Sequence, residues 1–85
     1  MSDLDDQTTL NDLRIVLTVL REGSVSGAAR RLRLTQSGLS YQLARMRRRF
    51  ADDLFVRSGN KMAPTPFARR LADPAERVLK IVDSE

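Results

Sequence analysis

The sequence predicts a mainly α-helical fold: three short helices, a two-stranded hairpin and a longer final helix. Three observations predict it. Apolar residues return at helical spacing in four separate stretches, each opened by a Ser, Thr or Asn. Between the third and fourth, "LFVRSGNKMAP" (54–64) switches to short apolar runs around a Gly-Asn turn. The 85 residues, 41% hydrophobic, are enough for one small domain, or for a piece of something larger.

Residues 1–9 read as a flexible acidic tail carrying Asp3, Asp5 and Asp6. The first helix then places Leu10, Leu13, Val16, Leu17 and Leu20 on one face, with Thr9 or Asn11 as its cap and Gly23 as its stop. Ile15 and Val19 lie on a second face, so this helix is expected to be covered from two sides. "SVSGAARRL" (24–32) is a short second helix capped by Ser24 or Ser26, with Ala28 and Ala29 small enough for a close crossing. After the turn "RLT", Thr35 caps a third helix. Leu39, Leu43, Met46 and Phe50 share its inner stripe, and Ser37, Ser40, Tyr41, Ala44, Arg47 and Arg48 share the other side. Gly38 inside this helix costs about 1 kcal/mol relative to Ala. It marks either a close approach or a tolerated imperfection.

"LFVR" (54–57) and "MAP" (62–64) are the hairpin strands, with Gly59 and Asn60 expected to supply positive φ. Thr65 caps the final helix and Pro66 takes its first position. Phe67, Leu71, Ala75, Val78 and Val82 form its apolar stripe, which keeps its phase across Pro74 and so predicts one continuous, kinked helix. Residues 10–64 are thus one domain and 65–85 a linker and dimerisation helix.

Net charge is +4, yet no acidic residue occurs between Gly23 and Ala51, where Arg30, Arg31, Arg33, Arg45, Arg47, Arg48 and Arg49 fall. Such a stripe attracts polyanions. A chain without cysteine has no disulfide framework, and one without histidine lacks the usual zinc ligand and the commonest general base. Carboxylates are scattered, and no Gly-rich phosphate cradle occurs. No catalytic residue, metal or cofactor is expected, and the chain does not read as an enzyme. The start lacks a signal-peptide pattern and no apolar run reaches the roughly 20 residues of a membrane span. A cytoplasmic location with no membrane partner is the expectation.

Helix, helix, turn, polar-faced helix and hairpin make a winged helix-turn-helix followed by a long linker helix. In that arrangement the third helix lays its polar side in the major groove of double-stranded DNA. Gln36 suits adenine, arginines suit guanine, and Tyr41 can meet a phosphate or a thymine methyl. Two other readings stay open: a nonspecific architectural or RNA-binding protein, and a module whose last helix binds another protein.

"GSVSGAARRLRLTQSGLSYQLARMRRRF" (23–50) and "LFVRSGNKMAPTPFARRL" (54–71) together resemble the LysR-type transcriptional regulators over about residues 10–82. The first carries the Gly-Ser, Ala-Ala, Thr-Gln and Leu-Ser elements, the second the Leu-Phe-x-Arg wing strand. The resemblance implies that Gln36, Ser37, Ser40 and Tyr41 contact bases and phosphates, that Arg57 touches the backbone and that Lys61 approaches the minor groove. Ser26, Arg30, Arg31, Thr35, Arg45, Arg48 and Thr65 complete the candidate DNA contacts. Ser37 stands where many members have Pro, and Tyr41 where Arg is frequent, so half-site preference does not transfer. The resemblance further implies a homodimer on a partly palindromic operator. The last helix would pack antiparallel on its copy through Phe67, Leu71, Ala75, Val78 and Val82, with Ile15 and Val19 helping to cover it. It also implies an effector domain beyond Glu85, absent from this chain, through which a small-molecule effector would act, and a possible tetramer of the whole protein.

Overall fold

A computed structural model describes residues 9–84, so the tail expected over 1–9 lies outside the described residues except for Thr9. The elements run α1 (Leu10–Glu22), α2 (Val25–Leu32), α3 (Gln36–Phe50), β1 (Phe55–Ser58), β2 (Lys61–Pro64) and α4 (Pro66–Asp83). This is the winged helix-turn-helix with a long last helix that the residue pattern predicts. No helix among the described residues is long and apolar enough to cross a membrane.

Each helix begins where a hydroxyl can satisfy one of the N–H groups that a first turn leaves without a partner. Thr9 Oγ1 accepts from Asp12 N at 3.2 Å while Asp12 Oδ2 accepts from Thr9 N at 3.1 Å, a reciprocal box. Ser24, Thr35 and Thr65 accept in the same way from Gly27, Gly38 and Ala68. Thr9 and Ser24, rather than Asn11 and Ser26, are therefore the caps. Gly23 ends α1 in the left-handed region at φ 71°, its N–H reaching Val19 O at 2.8 Å.

The core gathers Ile15, Val16 and Val19 of α1, Ala28 and Ala29 of α2, Leu39, Leu43 and Met46 of α3, and Leu54, Phe55, Ala68 and Leu71. A second cluster, Leu17 with Ala75 and Leu79, lies between α1 and α4. The first helix is indeed covered from two sides, but both covers belong to its own chain. Ile15 and Val19 are 0% exposed, so they cannot cover a partner's helix, as the apolar pattern alone suggested. The stripe on α4 is likewise divided. Leu71 and Ala75 are buried against the same chain, and Phe67 is half-buried with its ring 5.5 Å from that of Phe50. Val78 and Val82 remain exposed, joined by Ile81 at 72% exposure. The physical reason is local: α1 offers Leu13 and Leu17 as an apolar ridge, and the small Ala72 and Ala75 let α4 lie on it. α4 runs continuously through Pro74, which is exposed.

Ion pairs reinforce this packing. Arg14 donates twice to Asp83, at 2.9 and 2.7 Å, and Arg21 meets Glu76 at 3.2 Å. The Arg14 hydrogen bond holds the Asp83 carboxyl below the usual carboxylate range and raises Arg14 in turn. These pairs are exposed and contribute little. The pair between Arg49 and Asp12 differs. Arg49 Nη2 donates to Asp12 Oδ2 at 2.7 Å, with the two side chains only 10% and 8% exposed. It bolts the end of α3 to the start of α1.

The hairpin departs from expectation at two residues. Leu54 is not in a strand: it is fully buried at φ 66°, where its N–H donates to Asp52 Oδ2 at 2.7 Å and its carbonyl accepts from Thr65 N at 2.8 Å. Burial and these two bonds hold a conformation that costs a non-Gly residue about 1–2 kcal/mol. At the tip only Gly59 has positive φ, at 62°, while Asn60 does not share it. A positive φ at the first central residue alone is the pattern of a type II′ turn. Strand β2 is antiparallel to β1, in register Phe55 with Pro64 through Ser58 with Lys61.

Candidate nucleic-acid interface

α3 is the element that sorts the candidate residues. Leu39, Leu43 and Met46 are buried. Gln36, Ser37, Ser40, Tyr41, Arg45 and Arg48 are all exposed, with Tyr41 at 65%. The helix thus presents a continuous strip of amide, hydroxyl, phenol and guanidinium groups, about 22 Å of helix at 1.5 Å per residue. Its first turn is ordered by Thr35, whose Oγ1 accepts from Gly38 N at 2.9 Å and lies 3.3 Å from Ser37 Oγ. A Cβ on Gly38 would stand 3.0 Å from Thr35 Oγ1 and one on Gly27 2.9 Å from Ser24 Oγ, so each glycine packs closely under its cap hydroxyl, although Asp12 and Ala68 fill the same place beneath Thr9 and Thr65.

The arginines divide by what they touch. Arg49 is spent on Asp12, and Arg47 Nε donates to the carbonyl of Asp53 at 2.9 Å, closing the loop after α3. Arg31 lies 3.7 Å from Glu22 yet stays largely exposed. Arg30, Arg33, Arg45 and Arg48 are exposed, and none has a salt bridge among the described residues. Exposed guanidinium groups without an ion pair are ready to exchange their counterions for phosphates.

The wing completes the surface. A groove between the starts of α2 and α3 and the hairpin is lined by Ser24, Ser26, Gln36, Arg57, Asn60 and Met62. It brings Ser26, Gln36 and Arg57, separated in sequence, to one place, and Lys61 is exposed beside Asn60. Asn60, read from sequence only as a turn residue, is a candidate contact that the pattern missed. Its position at a hairpin tip was the available signal. Thr65, named from the sequence as a DNA contact, is half-buried. Its Oγ1 donates to Asp52 Oδ2 at 2.7 Å and accepts from Ala68 N at 3.1 Å, so the hydroxyl is used up inside the fold.

Comparison with known proteins agrees with this geometry. The profile of the bacterial regulatory helix-turn-helix protein, lysR family, matches residues 10–69. The transcriptional activator NagR of a Ralstonia species is 45% identical over 65 residues, which is 76% of this chain and 22% of NagR. Nodulation protein D 1 of Bradyrhizobium elkanii is 37% identical over 70 residues, or 82% of this chain and 22% of that protein. The chain therefore spans about a fifth of the length of these curated relatives. Among solved structures, the probable transcriptional regulator PA0477 from Pseudomonas aeruginosa superposes with a TM-score of 0.87 at 33% identity, over 92% of this chain and 26% of the other. The DNA-binding domain of BenM in complex with its catB site 1 DNA superposes with a TM-score of 0.83 at 27% identity, over 91% of this chain and 86% of that one. With its four helices, two-stranded wing and matched residues 10–69, this chain belongs to the LysR family of bacterial helix-turn-helix transcription regulators and carries that family's DNA-binding domain.

Proposed function

We propose that this domain binds a partly palindromic operator as a dimer, reading sequence with α3 in the major groove and meeting the adjacent minor groove with the wing. The observation that carries the reading is the exposed strip Gln36, Ser37, Ser40, Tyr41, Arg45 and Arg48 opposite a fully buried Leu39, Leu43 and Met46. A helix so divided can rest on its own core and offer short and long hydrogen-bonding groups to base edges together. Gln36→Ala should weaken binding to a selected operator by about 1–3 kcal/mol and relax the preference at one base pair, with random DNA much less affected. Equal losses on both DNAs, measured by fluorescence anisotropy, would leave Gln36 as a phosphate contact only.

The dimer contact we assign to the part of α4 that the domain leaves open: Val78, Ile81 and Val82, with Pro74 one turn earlier. Three exposed branched side chains on one helix are a patch that a second copy of the helix can cover. Val78→Asp with Ile81→Asp should shift the sedimentation coefficient from dimer to monomer and weaken binding to two half-sites far more than to one. An unmutated chain that sediments as a monomer at high concentration, alone and on DNA, rules the contact out. A protein bound to its operator in this way works at the bacterial nucleoid, in the cytoplasm. A small-molecule effector, and any tetramer, would act through the part of the relatives' length that lies beyond this domain.

A further inference from the structure

Strand β2 is held on both edges. One edge pairs with β1, and on the other Met62 N–H donates to the carbonyl of Gly23 at 2.9 Å. The register sets Met62 directly opposite Arg57, and residues so opposed point to the same face of the ladder. The bond to Gly23 therefore anchors the one rung that carries Arg57. Met62 is half-buried against the core, whereas Arg57 is exposed, and both line the groove with Ser26 and Gln36. No salt bridge to Arg57 forms among the described residues, so no carboxylate steers its side chain.

Gly23 is a glycine for backbone reasons. Its φ of 71° lies where side chains are disfavoured, and a Cβ there would meet nothing within 4 Å. The left-handed turn ends α1, leads straight into the Ser24 cap of α2, and aims the carbonyl between them at the wing. End of α1, start of α2 and wing thus meet at one acceptor.

We propose that the Gly23–Met62 hydrogen bond is a latch that holds Arg57 at the mouth of this groove, which makes Gly23 and Met62 positioning residues for a backbone phosphate contact by the wing. The latch rests on the reading that Arg57 meets phosphate, and the test separates the two. Met62 is replaced by its α-hydroxy analogue, which turns the donating N–H into an ester oxygen and leaves the side chain in place. Binding to operator DNA and thermal unfolding are measured with this ester, with Arg57→Ala, and with both. The ester should weaken binding as much as Arg57→Ala does and lower the slope of affinity against salt by about two, one for each protomer of the dimer. Added to Arg57→Ala it should weaken binding no further, although it lowers the melting temperature equally in both backgrounds. Equal binding losses with and without Arg57 would show that the ester acts on the fold at large and overturn the latch. So would an ester that leaves binding intact while Arg57→Ala impairs it. If Arg57→Ala alone changes neither affinity nor salt slope, the phosphate contact itself fails, and the latch with it.

Discussion

Asp12→Ala should destabilise the domain by about 3–5 kcal/mol, the cost of leaving a buried charge without its partner. Asp12 is 5% exposed and serves two donors through one oxygen, the Thr9 N–H at 3.1 Å and Arg49 Nη2 at 2.7 Å. Arg49 Nε is buried and has no partner among the described residues, so the bond to Asp12 is the side chain's one ion pair there. Domains of this size are stable by about 5–15 kcal/mol in total, so a large share of the stability is at stake. Losing only the helix cap, as in Thr9→Ala, should cost about 1 kcal/mol. Urea unfolding of the two variants separates the contributions. If Asp12→Ala costs no more than Thr9→Ala, the ion pair has no role in holding α3 to α1. Replacing Asp12 and Arg49 together by Leu and Met should be milder than Asp12→Ala alone, since no charge is then stranded.

Raising salt from 50 to 200 mM should reduce operator affinity by about a thousandfold for a dimer making roughly six phosphate contacts. The exposed guanidinium groups without an ion pair are the ones expected to set that slope. Arg45→Gln or Arg48→Gln, each exposed on α3, should lower the slope by about two, one for each protomer. Arg49→Gln should destabilise the fold and leave the slope of the folded fraction unchanged, because Arg49 faces Asp12 and not solvent. A slope insensitive to Arg45 and Arg48, measured by titration at several salt concentrations, would remove the electrostatic account of the arginine clusters. Lys61→Ala isolates the wing tip: a loss confined to A·T-rich flanks is expected where that tip meets a narrow minor groove.

What could be read without coordinates was whatever depends on near neighbours. Thr35 and Thr65 were legible as caps because a cap and its N–H lie three residues apart. The stripe Leu39, Leu43, Met46 was legible because 3.6 residues per turn puts it on one side. What escaped depends on distant partners. Arg47, Arg48 and Arg49 form one run in sequence, yet one bonds a loop carbonyl, one is exposed with no ion pair among the described residues and one is buried on an aspartate 37 positions earlier. Ile15 and Val19 were rightly seen as a second apolar face, but periodicity cannot tell a cover within the chain from one in another chain. Thr65 was visible as a hydroxyl at the right place in the family pattern. That Asp52 accepts its hydrogen bond is a contact across 13 residues that no local pattern records.

The sandwiching of α1 has a mechanical consequence. α4 is about 27 Å long at 1.5 Å per residue, and its last turn is fastened to α1 by Arg14 and Asp83. The other side of α1 carries the core on which α3 sits, and Arg49 bolts the two together through Asp12, two residues from Arg14. Levered at Asp83, α4 has no soft layer between itself and the reading helix: close-packed interiors transmit strain instead of absorbing it. A tilt of about 10° along such a rod moves its tip by about 5 Å. Through α1, a rotation of this rod therefore has a rigid route to the helix that carries Gln36 and Tyr41.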